Sequence, residues 1–217
     1  MIKQPQDYIN RASLGVNVAT NWANFYPNYT VNFCTQASFS QLFQDFMQKA
    51  QANTQQDILK KTNTANLKAV NNQINKSLVR LKEYIRDSYN TNIEEEYQAY
   101  GLEKMGKGNF SFPTDNDRRM QRLFILQQKL NEPNNPVANR AQGLTYWNDI
   151  ITKHTDEWQT SKNLKSGKSQ LSSECKAYHK QAGEWLMKFN RQLSIDFDKI
   201  QLANVRRTFG FLNETYQ

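Results

Sequence analysis

The chain has 217 residues, with 28 Lys and Arg against 20 Asp and Glu and a formal charge of +8. Eight Gly and five Pro are too few for a β-sandwich with a turn every ten residues or for a collagenous chain, and two Cys cannot form a disulfide scaffold. The longest apolar run, Leu123 to Leu126, is four residues, where a membrane span needs about 20.

Asn and Gln together number 46, but they are scattered, and 26 Phe, Trp and Tyr recur at helical spacing among them. Disordered chains lack such aromatics and such periodicity. Each large side chain fully buried contributes roughly 1.5–3 kcal/mol, so a few dozen offset the chain entropy. A folded, mostly helical chain with a solvated Asn/Gln surface is expected. The opening Met1–Asp7 carries no apolar h-region, and two unpaired Cys suit a reducing interior, so the expected compartment is cytoplasmic. A virion or secretion-apparatus component has the same features.

In chain order, residues 1–37 read as the least regular part. Ala12–Ala23 fits a short helix weakened by Gly15 and by Asn17, Asn21 and the following Asn24, ended by Phe25-Tyr26-Pro27-Asn28-Tyr29. Ser38 reads as an N-cap, followed by Phe39, Leu42, Phe43, Phe46, Met47 and Ala50 on one helix face. A second helix from about Thr64 to Ser88 places Leu67, Val70, Ile74, Leu78, Leu81 and Ile85 on a narrow seam. Asn90-Thr91-Asn92 breaks it, and a further helix carries Ile93, Tyr97, Tyr100 and Met105. Gly106 to Pro113 is a loop. Thr114 with Asp117 then resembles a capping box opening a helix with Met120, Leu123, Phe124, Leu126 and Leu130.

Asn131-Glu132-Pro133-Asn134-Asn135-Pro136 stops that helix. From about Val137 to Trp158 the next one carries Ala141, Leu144, Trp147, Ile151 and His154 on one face. Residues 161–169 (SKNLKSGKS) read as a basic loop. From Leu171 the apolar face resumes through Cys175, Tyr178, Ala182, Trp185, Leu186, Phe189, Leu193, Phe197 and Ile200, as one helix or as two broken near Ser194.

A single shift of the numbering superposes the two apolar patterns. With an offset of 108, Phe39 meets Trp147, Phe43 meets Ile151, Leu67 meets Cys175, Leu78 meets Leu186 and Ile85 meets Leu193. One inserted residue aligns Tyr100-Gly101-Leu102 with Phe209-Gly210-Phe211. The expected fold is therefore all-α: a single helical domain over 1–217, with pseudo-repeated units 27–107 and 136–213 sharing one core and joined by a helical connector, 108–135.

No reactive constellation is legible. Glu-x-x-His pairs for a di-iron bundle are missing, since Ile151 and Lys176 stand three before His154 and His179. Cys34, Cys175, His154 and His179 lack the Cys-x2-Cys spacing of a zinc site, and Cys175 fits the apolar seam. Neither a nucleophile elbow nor a complete phosphate loop occurs: Gly167-Lys168-Ser169 lacks its earlier Gly, position 162 being Lys. Glu94-Glu95-Glu96 and Asp115 with Asp117 suit helix starts, where negative charge meets the positive end of the dipole. No catalytic residue, cofactor or metal is expected.

Basic charge, +3 over positions 1–108 and +5 over positions 109–217, is the feature that points to a ligand. Arg118, Arg119 and Arg122, and Lys162, Lys165, Lys168, Lys176 and Lys180, are candidate contacts for nucleic acid or another polyanion. Trp22, Phe25, Tyr26 and Tyr29 are candidate anchors for a protein partner, another subunit or a second copy. Alternatively, that segment folds back over a bundle end. A non-catalytic interaction or structural protein, such as a subunit of a larger assembly, is the leading expectation, and a polyanion-binding protein the alternative.

Overall fold

The computed structural model describes residues 5–211, with Lys107 described by its backbone alone. Met1 to Gln4 and the last two residues of the expected 136–213 unit lie outside the described residues. The described chain is mostly helical: α1 Tyr8–Phe25, α2 Gln36–Ser88, α3 Ile93–Ala99, α4 Asn116–Leu130, α5 Leu144–Asp196 and α6 Lys199–Thr208. A short antiparallel hairpin, β1 Glu103–Lys104 and β2 Phe110–Ser111, pairs Glu103 with Ser111 and Lys104 with Phe110 across a 3-10 turn at Gly106–Gly108. Among the described residues no helix is long and apolar enough to cross a membrane.

The chain divides into two compact units, one of residues 1–58 and 166–217, the other of residues 59–165. Buried apolar side chains likewise form two clusters. The unit boundaries run through α2 and α5, at positions other than the limits of the expected units 27–107 and 136–213. Apolar periodicity identifies which helix faces are buried but not which partner each face meets.

In the first unit, α1 is opened by Asp7, whose Oδ1 accepts the Asn10 N–H at 2.8 Å. It buries Leu14, Val18 and Trp22 against Phe39, Phe43 and Phe46 of α2 and Ala182, Leu186, Phe189 and Leu193 of α5. Phe189 meets Trp22 and Phe209 edge-to-face, each at 5.0 Å. Gly15, read from the sequence as a weak point, is a packing requirement: a Cβ there would lie 1.8 Å from the Phe43 ring. The helix therefore runs unbroken from Tyr8.

The cap of α2 is Thr35, not Ser38. Thr35 Oγ1 accepts the Ser38 N–H at 3.1 Å, and Ser38 Oγ accepts the Thr35 N–H at 3.0 Å, a reciprocal box with Ser in the third position. Residues 161–169 are helical within α5, not a loop. Lys168 Nζ donates to Asp57 Oδ2 at 2.7 Å and Ser172 Oγ to Asn53 Oδ1 at 3.3 Å, so α2 anchors this stretch. The smallness of Gly167 serves contact, since a Cβ would stand 3.0 Å from the Gln56 amide. The break before α6 falls at Phe197-Asp198, where Asp198 Oδ1 caps Ile200 and Gln201.

In the second unit, Ile74, Leu78, Leu81 and Ile85 of α2 pack with Leu123, Leu126 and Leu130 of α4 and Trp147, Ile150 and Ile151 of α5. The α4 cap is Asp115, one residue after the expected Thr114; its Oδ1 accepts the Arg118 N–H at 2.9 Å. The helix expected from Val137 begins at Leu144. Asn135 Oδ1 accepts the N–H groups of Val137 and Ala138 at 2.9 and 3.2 Å and holds this segment in turns. Met105 falls beyond α3, because Gly101 at φ 82° ends the helical run.

Candidate functional site

The most buried charged group is Arg119 of α4, 3% exposed. Its Nε donates to the Pro113 carbonyl at 2.6 Å and its Nη1 to Asn71 Oδ1. Asn71 Nδ2 donates in turn to Asn116 Oδ1 at 3.1 Å, and that oxygen also faces His154 Nε2 at 3.4 Å. With Asn116 Oδ1 as acceptor, the proton of neutral His154 sits on Nε2, and Nδ1 has no hydrogen-bond partner among the described residues. Burial, aided by the Arg119 charge, pushes the His154 pKa down to about 4. The imidazole is therefore neutral near pH 7, held by a chain of amides and one guanidinium.

Arg11 of α1 occupies a matching corner in the other unit. Its Nε donates to the Pro5 carbonyl at 2.9 Å and its Nη1 to the His179 carbonyl at 3.2 Å. Tyr8 stands edge-to-face against the His179 ring at 5.3 Å, and burial and Arg11 lower the His179 pKa. A signal for both arginines is present in the sequence and was missed: Pro5-x-Asp7-x3-Arg11 recurs as Pro113-x-Asp115-x3-Arg119, at the same offset as the apolar seams. Apolar spacing alone does not reveal it.

The candidate polyanion contacts are dispersed. Arg118 and Arg122 both pair with Glu103, at 2.9 and 2.7 Å, while Arg119 is turned inward. Glu103 is pushed up by burial yet held below its usual range by Arg122 and Arg118 together. Lys162 pairs with Asp117 at 2.6 Å and lies over the Trp158 ring, and Lys168 pairs with Asp57 at 2.7 Å. Lys165, Lys176 and Lys180 are exposed. Lys162 and Lys165 belong to one unit and Lys168, Lys176 and Lys180 to the other.

Of the four candidate anchors only Phe25 is open to solvent, at 64%. Trp22 is core, its Nε1 donating to the Tyr29 carbonyl at 2.7 Å. Tyr26 stacks on Phe209 at 5.1 Å, and the Tyr29 hydroxyl donates to Asp196 at 2.8 Å. The segment folds back onto its own unit. Ile195 and Ile200, 70% and 84% exposed, flank in sequence Phe197, whose ring meets Tyr26 and Tyr29.

A cavity of about 430 Å³ lies in the second unit, lined by Leu130, Asn131, Glu132, Asn135, Pro136 and Leu144 among others. Its best-placed amide is committed to the fold: Asn135 Oδ1 also accepts the Tyr100 hydroxyl at 2.9 Å, and Nδ2 donates to the Lys129 carbonyl at 2.7 Å. Cys34 is half-buried with its pKa pushed up to about 11 by burial, and Cys175 is buried. Both thiols stay protonated near pH 7. Among the described residues no group of three His, Cys, Asp or Glu is placed to hold a metal ion. Compared with family models, with curated proteins and with solved structures, the chain finds no match in any of the three.

Proposed function

We propose that the chain is a non-catalytic interaction or structural protein, a subunit of a larger assembly, built from two copies of one helical half. The observation that carries the binding role is the exposure of Phe25, Ile195 and Ile200, each within three residues in sequence of a ring in the mutually packed set Tyr26, Tyr29 and Phe197. Large apolar side chains left open to solvent are what a protein partner covers. A photo-crosslinking residue placed at position 200 is expected to capture one defined protein from the native source, lost when Phe25 and Ile195 become Ser. Equal capture from position 165, or turnover traced to a cleft, overturns the reading.

The two-copy reading is supported by a constant offset. α2 and α5 each have 53 residues and begin 108 apart, as do α1 and α4. Asp7 and Asp115 cap α1 and α4, and Arg11 and Arg119 reach back to Pro5 and Pro113. Tyr100-Gly101-Leu102 and Phe209-Gly210-Phe211 close their helices with the same three backbone hydrogen bonds, Gly101 and Gly210 standing at φ 82° and 83°. A chance overlap of apolar seams does not require matched caps and matched guanidinium bonds.

Polyanion binding is the second reading, supported by exposed Lys176 and Lys180 one turn apart on α5. Retention on heparin that falls steeply between 50 and 300 mM salt is its test, because phosphate or sulfate contacts release counterions.

A further inference from the structure

We infer that the two halves of the chain, 1–107 and 108–217, are each other's binding partners: neither compact unit is complete within one half. The first unit joins residues 1–58 to 166–217, and the second joins 59–107 to 108–165. Each unit thus takes the leading part of one half and the trailing part of the other. The chain is the covalent form of a two-partner assembly with exchanged helices.

The inter-half surface lies inside each core. In the first unit, Trp22 and Phe39 of the first half enclose Phe189 of the second. Polar bonds at the margin cross the same divide: Arg11 to the His179 carbonyl, Asn21 Nδ2 to the Thr208 carbonyl at 2.7 Å, and Lys49 to Glu174 at 2.6 Å. In the second unit, Leu81 and Ile85 of the first half share a cluster with Trp147 and Ile151 of the second. Arg119 reaches Asn71, Arg122 reaches Glu103, and Ser77 Oγ meets Tyr146 Oη at 2.7 Å across it. Residues 71 and 179, which receive the two arginines, are themselves 108 apart. Burial of large apolar side chains from both halves in the same two cores is the pattern of an obligate interface, not of two domains in passing contact.

One peptide segment is available for separating the halves without touching either core. Gly106 and Gly108 are exposed in the 3-10 turn, and a Cβ at either would meet nothing within 4 Å. A specific protease site inserted there allows the full chain to fold first and be cut afterwards. The cut protein is expected to elute as one particle with the retention and helical ellipticity of the intact chain. Its urea midpoint becomes dependent on protein concentration, because unfolding now releases two molecules. Purified in denaturant and refolded separately, each half is expected to regain little helix, and mixing restores it. Halves that part in native buffer, or a single half that refolds as a fully helical monomer, overturn the inference.

The symmetry of the exchange rests on the two-copy reading, and the tests are separable. If the cut halves stay together but Arg11→Met and Arg119→Met differ widely in cost, the copy reading falls and the exchange stands. Halves that part while the two substitutions cost the same leave the copies and remove the exchange.

Discussion

Arg11 and Arg119 each extend a guanidinium backwards along the chain to the carbonyl of the proline six residues before, Pro5 at 2.9 Å and Pro113 at 2.6 Å. Each ties the chain ahead of a capped helix to that helix's first turn. Replacement by Met keeps the apolar stem but leaves buried carbonyl oxygen without its charged donor. Arg11→Met and Arg119→Met are each expected to cost about 1.5–3 kcal/mol, the range for a hydrogen bond to a charged group. Urea denaturation measures this, and a loss below about 0.5 kcal/mol would place both side chains among ordinary surface groups.

Acid should loosen the second unit through His154. Its folded pKa of about 4 lies below the ordinary imidazole value of 6.5, so between those limits the unfolded chain binds more protons than the folded one. The contribution is complete above pH 6.5 and declines as the pH falls toward 4, by about 3 kcal/mol in all. Several carboxylates with lowered pKa, Asp7 and Glu103 among them, act in the same direction. The informative quantity is therefore the difference from His154→Phe, Phe being the residue that stands 108 positions earlier, at Phe46. Urea midpoints at pH 7 and pH 4.5 should converge more closely in the variant than in the parent. An unchanged gap would mean that His154 is not the titrating group.

Two glycines with almost the same backbone angle should respond differently to a methyl group. Gly101→Ala and Gly210→Ala both place a Cβ in the left-handed region, at a cost of about 1 kcal/mol. At Gly101 the new carbon also meets the Arg122 carbonyl oxygen at 2.3 Å, whereas at Gly210 its nearest neighbour is Leu14 Cδ1 at 3.9 Å. Gly101→Ala is expected to destabilise by a further ~1–3 kcal/mol, the usual cost of overpacking. Equal thermal shifts for the two variants would contradict the close approach of α4 to this turn.

Glu103 restrains two arginines at once. Glu103→Gln removes the carboxylate from Arg118 and Arg122 and frees both for other anions. If the surface attracts polyanions, the slope of log affinity against log salt for heparin should steepen by about 1–2. An unaltered elution position argues against any role for these arginines in binding.

Much of the helical architecture was legible in apolar spacing. Ile74, Leu78, Leu81 and Ile85, and equally Ala182, Leu186, Phe189 and Leu193, occupy the buried faces their periodicity predicts. Small residues misled the reading in two places. Gly15 and the Gly167 segment look like interruptions in a single helix, yet each is where another side chain, Phe43 or Gln56, comes close. Local propensity cannot distinguish a breaker from a site of close packing. Cap positions differ from the expected ones by one to three residues, Thr35 standing for Ser38 and Asp115 for Thr114, because several Thr, Ser and Asp near a helix start all carry a side-chain oxygen suited to capping. Which halves share a core was hidden altogether, since periodicity marks a buried face without naming its neighbour. Exposure of the cationic candidates was equally out of reach: Arg118, Arg119 and Arg122 are near neighbours in sequence, and only the middle one points inward.

On the two-copy reading, Phe46 and His154 hold the same place, one a greasy ring and the other a proton acceptor. Divergence at that position puts a buried imidazole in one copy and none in the other. A molecule assembled from two leading halves would lose the imidazole part of the acid response and keep that of carboxylates such as Asp7 and Glu103, whereas one made of two trailing halves would carry the imidazole twice. The imidazole share of that response thus becomes a dosage trait, carried by one half and diluted by the other.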